Sequence, residues 1–325
     1  MTAAADSSYG HIPLAEVTRG DLVESVHYGS FIVVDRDGAT LMSGGRPEGP
    51  IYARSSLKPF QLTAMVRAGL DLPDDLLALG AASHNGETIH TDGAKRILEM
   101  HGLGVEALQN TPDYPIGASV FEPHLRAGGE KTSLTQNCSG KHASMLATCV
   151  VNGWDTANYL EFDHPLQRHI KATCEEMMGE ASAADTNDGC GAPLFAFSLE
   201  ATTRAFSRFG VADASSAEGK IFRAYRGFPQ MVGGDDRDVT RLMRAVPGLM
   251  TKDGAEAVLL VVLEGGTAIG LKIADGGTRA KFPLAVEILK KLGVAGDYDA
   301  VPPTPTLGHG KPVGAVRVIG EALGV

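Results

Sequence analysis

β-Hairpin patterns stand at both ends of this chain, and helical patterns fill the stretch between them. Near the start, Phe31-Ile-Val-Val-Asp35 and Ala39-Thr-Leu-Met42 flank Arg36-Asp37-Gly38. An Asp-Gly step between two β-rich runs predicts a tight hairpin turn. Near the end, residues 257–263 turn at Glu264-Gly265-Gly266 into 267–274, and residues 313–318 read as a last strand. The middle, about 56–250, reads as mostly helical. Segments 56–68, 91–100, 141–151 and 165–178 each stop at or beside a glycine, as helix C-caps often do. This order predicts an α/β (α+β) fold in which one antiparallel sheet is assembled from both chain ends around a largely helical middle.

Bulk properties narrow the function classes. The 325 residues include 40 glycines, where average usage of about 7% predicts roughly 23. That excess fits the many tight turns of α/β enzymes. The net charge of −10 argues against nucleic acid and anionic membranes as partners, since both reward a basic face. The N-terminus lacks the basic start and apolar core of a signal peptide, and the longest apolar run, 257–263, is far short of a membrane span. A cytoplasmic enzyme is the expected placement. The four cysteines, Cys138, Cys149, Cys174 and Cys190, are then expected as thiols or metal ligands.

Ser55 and Lys58 form an S-x-x-K pair at the start of a predicted helix. Positions i and i+3 share a helix face, so hydroxyl and amine can meet. Such a pair makes an acylating nucleophile without histidine, the amine taking the proton as the oxygen attacks a carbonyl. A helix-start serine is also an ordinary N-cap. Pro59 adds a tension, because proline biases the preceding residue away from helical angles. Either the helix starts at Ser55 and absorbs Pro59 in its first turn, or Lys58 is itself the cap.

Three further clusters carry chemistry. Ser83-His84-Asn85-Gly86-Glu87 offers a second serine with hydrogen-bonding neighbours, or simply a polar loop capping a helix. Lys272 stands in a strand pattern on the face shared by Ala268, Gly270 and Ala274, where small neighbours leave room for something to lie against it. A solvated edge-strand lysine is the plainer reading. Gln136-Asn-Cys138-Ser-Gly-Lys141-His142 and Asn187-Asp188-Gly-Cys190-Gly-Ala-Pro193 are Gly-containing polar loops with one cysteine each. Two thiolates and one nitrogen, from Lys141 or His142, would make a soft site suited to zinc. Free buried thiols, or a Cys138–Cys190 disulfide, are the alternatives. Cys149 and Cys174 lie in helical patterns and read as core.

Together these clusters resemble the rhizobial-type L-asparaginases, the asparaginase II family, whose fold is similar to serine β-lactamases and glutaminases. The residues that carry the resemblance are Arg54-Ser-Ser-Leu-Lys-Pro-Phe-Gln61, Ser83–Glu87, Gln136–His142, Asp188–Pro193 and Gly270-Leu-Lys272-Ile. Further stretches are His164–Gln167, Pro229–Gly234 and Lys252-Asp-Gly-Ala-Glu256. The pattern reads as a loose tail over 1–10, and the resemblance, which covers nearly the whole chain, goes with a single catalytic domain over 11–325 with a helical subregion at about 56–250. The resemblance implies hydrolysis of L-asparagine to L-aspartate and ammonia, with Ser55 and Lys58 as one Ser–Lys pair and Ser83 and Lys272 as a second. It implies Cys138, Lys141 and Cys190 as zinc ligands, and a homodimer. Arg54, Asn85, His142 and Asp188 stand beside these positions as expected substrate contacts. The remaining readings are an S-x-x-K amidase or β-lactamase-like hydrolase on another amide, and a non-catalytic zinc-containing amino-acid-binding protein.

A lysine base carries an energetic demand. With an ordinary pKa of about 10.4, roughly one lysine in 2,500 is neutral at pH 7. Bringing it near 7 takes about 4 kcal/mol of differential interaction. Burial, a second lysine and a nearby metal cation all push that way.

Overall fold

A computed structural model of the chain describes residues 10–324. The expected tail over 1–10, apart from its last residue, lies outside the described residues. In chain order the strands are β1 (Ile12–Arg19), β2 (Leu22–Val34), β3 (Thr40–Gly44), β4 (Pro50–Tyr52), β5 (Ala184–Asn187), β6 (Pro193–Ser198), β7 (Leu249–Gly254), β8 (Val258–Leu263), β9 (Ala268–Ile273), β10 (Pro305–Gly308) and β11 (Lys311–Val318). The helices are α1 (Lys58–Arg67), α2 (Asp74–Gly80), α3 (Thr88–Glu99), α4 (Ala118–Arg126), α5 (Ser139–Asn152), α6 (Pro165–Met178), α7 (Leu199–Ser207), α8 (Ala217–Gly227), α9 (Pro229–Val232), α10 (Asp238–Ala245) and α11 (Lys281–Lys291). Among the described residues, no helix is long and apolar enough to cross a membrane.

The chain divides into two compact units. One comprises the chain up to Ser56, Ser198–Val211 and everything from Leu242 on; the other comprises Leu57–Phe197 and Ala212–Arg241. The first unit is the expected antiparallel sheet built from both chain ends. Its order is β10-β11-β1-β2-β9-β8-β7, with β3 also pairing β2. The β2–β3 turn forms as predicted: the Asp35 carboxylate accepts the backbone N–H of Asp37 and Ala39, and Gly38 sits at φ +81°. The central strands are buried on both faces, so β8 reads as a continuous Val/Leu run. The room beside Gly270 is filled by α7, an element of the middle of the chain that belongs to the sheet unit. A Cβ at Gly270 would collide with the Thr203 hydroxyl.

Six strands, β1, β4, β5, β6, β7 and β10, were not read from the sequence. β1 and the first half of β2 form a hairpin that begins just after the expected tail. β7 carries Thr251-Lys252-Asp253-Gly254, too polar to read as a strand, yet every residue of it is buried.

The second unit is helical. Helix α6 forms over the predicted residues, and α5 begins two residues earlier than predicted. Both end on a left-handed glycine, Gly153 at φ +65° and Gly179 at φ +70°, which lets the chain close the last turn. Inside this unit α1 packs on α6, α2 on α8 and α3 on α5.

Candidate active site

The S-x-x-K segment takes neither of the two forms expected. Arg54–Leu57 is a 3-10 turn that runs straight into α1, whose first residue is Lys58 and whose second is Pro59. Proline is tolerated there because the first helical N–H groups have no intrahelical acceptor. The turn is entered through Arg54 in the left-handed region, φ +51°, uncommon for a residue with a side chain. Strain of this kind concentrates at functional turns. Ser55 is half-buried, and its hydroxyl has no hydrogen-bond partner among the described residues.

In the helical unit, Lys58 is buried, 1% exposed. Its amine donates to the Ala82 carbonyl at 2.5 Å and to the Ser83 hydroxyl at 3.1 Å. Lys58 and Ser83 thus meet, although the sequence assigned them to different pairs. The loop that presents Ser83 is pinned on three sides. The Ser83 N–H donates to the Val232 carbonyl, the His84 N–H to the Asn137 carbonyl, and the Tyr225 hydroxyl to the Ala81 carbonyl. His84 is wholly buried. Its Nδ1 accepts the Gly86 N–H at 3.1 Å, so Nε2 carries the proton and donates to the Ser139 hydroxyl at 2.9 Å. Burial first, then the charges of His90 and Lys58, hold its pKa well below the ordinary value, and the ring stays neutral.

In the sheet unit, the end of β7 supports the turn that carries Ser55. The Ser56 hydroxyl donates to the Lys252 carbonyl at 3.1 Å. Gly254 lies so close that a Cβ there would collide with the Ala53 carbonyl and fall 3.0 Å from Ser56 Oγ. Lys252 is fully buried at 0% exposure, and its amine donates to the Asp253 carbonyl at 2.6 Å and carboxylate at 3.1 Å. Lys281 of α11 reaches the same carboxylate at 3.1 Å. Two lysines thus share one buried carboxylate beside the turn that carries Ser55.

Lys272, the lysine expected from the sequence, sits elsewhere. The register runs Lys252↔Leu260↔Gly270, so Lys272 is two strands across from Lys252 and two residues along. At about 4.8 Å per strand and 3.4 Å per residue, the two are on the order of 12 Å apart at the backbone. The Lys272 amine donates to the carbonyls of Glu256 and Ile273, both at 2.6 Å. Lys252, in place of Lys272, is the lysine next to the Ser55 turn. It was passed over because it lies on the strand the sequence pattern missed, although its stretch, Lys252-Asp-Gly-Ala-Glu256, was among those carrying the resemblance.

Cys138, Lys141 and Cys190 converge in the helical unit, all buried. All four cysteines are free thiols, which excludes the Cys138–Cys190 disulfide in this structure. The Lys141 amine donates to Cys190 Sγ at 3.2 Å. A Cys138–Cys190 hydrogen bond and burial push the Cys138 thiol up to about 12. The same bond and the Lys141 charge hold the Cys190 thiol well below its ordinary value, and the two sulfurs raise Lys141 against the opposing pull of burial. The arrangement brings together two soft sulfurs and one nitrogen. An ideal tetrahedral zinc ion with those donors spaces sulfur and nitrogen by about 3.5 Å, near the separation seen. Soft sulfurs suit zinc, and Lys141 would have to lose its proton to complete the set; among the described residues no group of three or more His, Cys, Asp or Glu side chains could hold a metal ion. His142 instead accepts or donates at Nδ1 to the Tyr159 hydroxyl at 2.8 Å, and its buried Nε2 has no partner.

The expected substrate contacts divide. The amide N–H groups of Asn85 are spent on Glu87 at 2.8 Å and Asp236 at 2.5 Å, the residue is 0% exposed, and Arg237 meets its oxygen. Both amide N–H groups thus tie loops together, and the oxygen keeps a second lone pair. Asp188 is partly exposed and its charge raises Lys141. Arg54 stands partly exposed at the entrance to the Ser55 turn.

Comparison with known proteins adds a family. The L-asparaginase II family model matches residues 15–318. A search of curated proteins finds no match. Among solved structures, a putative beta-lactamase from Bacteroides dorei DSM 17855 is similar at 12% identity over 81% of this chain and 92% of that one, with a TM-score of 0.45. The native form of Mglu is similar at 11% identity over 82% of this chain and 65% of that one, with a TM-score of 0.41.

Proposed function

Since the chain belongs to the L-asparaginase II family, we propose that it hydrolyses L-asparagine to L-aspartate and ammonia through an acyl-enzyme on Ser55. The observation that carries this reading is the buried hydrogen bond from Lys58 to Ser83 at 3.1 Å. It makes one relay out of groups drawn from two separate sequence motifs. Ser55 Oγ attacks the side-chain amide carbon and loses its proton to Lys58. The proton passes through Ser83 to the amide nitrogen, the C–N bond breaks, and ammonia leaves. Water then attacks the ester carbonyl, gives its proton back along the same relay, and aspartate departs as Ser55 regains its hydrogen. Backbone N–H groups at the start of α1 suit the oxyanion.

The second lysine of the relay is assigned to Lys252. Its support is complete burial and the bond between its own carbonyl and Ser56. Arg54 suits the substrate carboxylate, and Asp188 its ammonium group. Cys138, Lys141 and Cys190 would hold zinc, which would supply a fixed positive charge for binding and polarising the substrate. His142 packs beside them, its ring oriented by Tyr159.

The test is ammonia release from asparagine, glutamine and other amides by wild type, Ser55→Ala, Ser83→Ala, Lys252→Met and Lys272→Met. Ser55→Ala and Lys252→Met are expected to lose at least about a thousandfold in kcat, the scale of a lost nucleophile or proton-transfer group. Full activity in Ser55→Ala, or acylation by penicillin-type probes with no ammonia from asparagine, refutes the proposal.

A further inference from the structure

The position of Lys272 gives it a different task from the one its sequence context suggested. Glu256 and Ala257, in the β7–β8 turn, are consecutive residues with side chains in the left-handed region, φ +58° and +52°. Asn and Gly are the residues that normally hold such a pair. The Lys272 amine donates to the Glu256 carbonyl at 2.6 Å while its own neighbour Ile273 offers the second acceptor at 2.6 Å. From the far side, the Ile273 N–H donates to the Ala257 carbonyl at 3.2 Å. The Glu256 carboxylate lies against Gly276, where a Cβ would collide with it. Both left-handed residues are therefore fastened to β9 and the loop after it.

That turn fixes the end of β7. Gly254 pairs with Val258 across it. Gly254 in turn rests against Ala53 and Ser56, and the Lys252 carbonyl takes the Ser56 hydroxyl. A turn that relaxed out of its left-handed pair would shift Gly254, and with it the turn that carries Ser55.

We propose that Lys272 is a positioning residue, which by clamping the strained β7–β8 turn holds the end of β7 against the Ser55 turn; this rests on Ser55 being the nucleophile. Lys272→Met removes both donated bonds. It is expected to lower kcat about tenfold with KM within twofold, because the nucleophile is displaced while substrate contacts stay. Amide hydrogen exchange over residues 254–258 should accelerate in the same variant. Adding Glu256→Asn and Ala257→Gly to Lys272→Met gives the turn residues that adopt left-handed angles unaided. That triple variant should recover kcat to within about threefold of wild type and slow the exchange again.

A lysine that moved protons itself could not be replaced by turn residues. Loss of activity that the Asn-Gly pair does not restore therefore overturns the proposal, as does unchanged exchange at 254–258 in Lys272→Met. The exchange arm does not depend on the reaction. Should Ser55→Ala keep its activity, the asparaginase reading fails, while exchange still decides whether the clamp exists.

Discussion

Gly254→Ala is the sharpest perturbation of the coupling between β7 and the Ser55 turn. Gly254 is not in the left-handed region, so alanine brings no backbone strain and only a methyl group. That methyl would sit inside contact distance of the Ala53 carbonyl oxygen, 3.0 Å from Ser56 Oγ and 3.3 Å from the Ser56 nitrogen. Ordinary carbon–oxygen contacts begin at about 3.3 Å, so the turn must withdraw by up to about 1 Å. The Ser56 bond to the Lys252 carbonyl, now 3.1 Å, stretches with it. A displacement of that size at a reacting group costs about a hundredfold, or about 2.7 kcal/mol in the barrier. Stability changes less. Overpacking costs about 1–3 kcal/mol, and alanine in a strand recovers about 0.5–1 kcal/mol of the entropy glycine loses on folding. The assay is ammonia release from asparagine at saturating substrate, with thermal unfolding alongside. Gly254→Ala with kcat within threefold of wild type would show that the Ser55 turn does not take its position from β7, and would refute this reasoning.

Two further predictions concern the helical unit. His84 is held neutral by burial, its pKa well below the ordinary 6.5, so below about pH 6.5 the unfolded chain binds a proton that the folded chain refuses. Stability should then fall as pH drops from about 6.5, by at most about 1.4 kcal/mol per pH unit from this group. Urea melts at pH 7, 6 and 5 should show a shallower fall in His84→Gln, and identical slopes would count against the buried neutral ring. For the cysteine cluster, protein purified without chelator is expected to hold about one zinc per chain, and Cys138→Ser to lose it. Loss of zinc should raise KM for asparagine more than it lowers kcat, with circular dichroism preserved; an unchanged KM in the zinc-free protein would exclude a role in substrate binding.

Much of the fold was legible because its signals are local. Asp-Gly at 37–38 turns a hairpin wherever it stands between β-branched runs, and a glycine after a helical run stops it, as Gly153 and Gly179 do. Among the strands missed, β7 is the one whose burial comes from distant partners. β7 is polar in sequence and buried in space. Its Lys252 and Asp253 balance each other and Lys281, a compensation between residues almost thirty positions apart that no short window reveals.

The candidate site divides along the same line. Residue types and spacing offered Ser55, Lys58, Ser83 and the two cysteine loops as candidates, and the resemblance chose Lys141 over His142. Partnership was not readable in place. Lys58 donates to Ser83, twenty-five residues away, because the start of α1 and the loop after α2 bring amine and hydroxyl together. Asn85 was expected as a substrate contact, and its amide N–H groups meet Glu87 and Asp236, two partners that its own short motif did not announce together. Lys272 and Lys252 carry the same functional group on one sheet. Strand register alone puts Lys252 beside the Ser55 turn and leaves Lys272 to hold a hairpin. Sequence by itself determined which chemical groups this protein owns and which local turns it makes. Tertiary structure decided which of those groups meet, because hydrogen bonding and desolvation act over a few ångströms of space and take no account of distance along the chain.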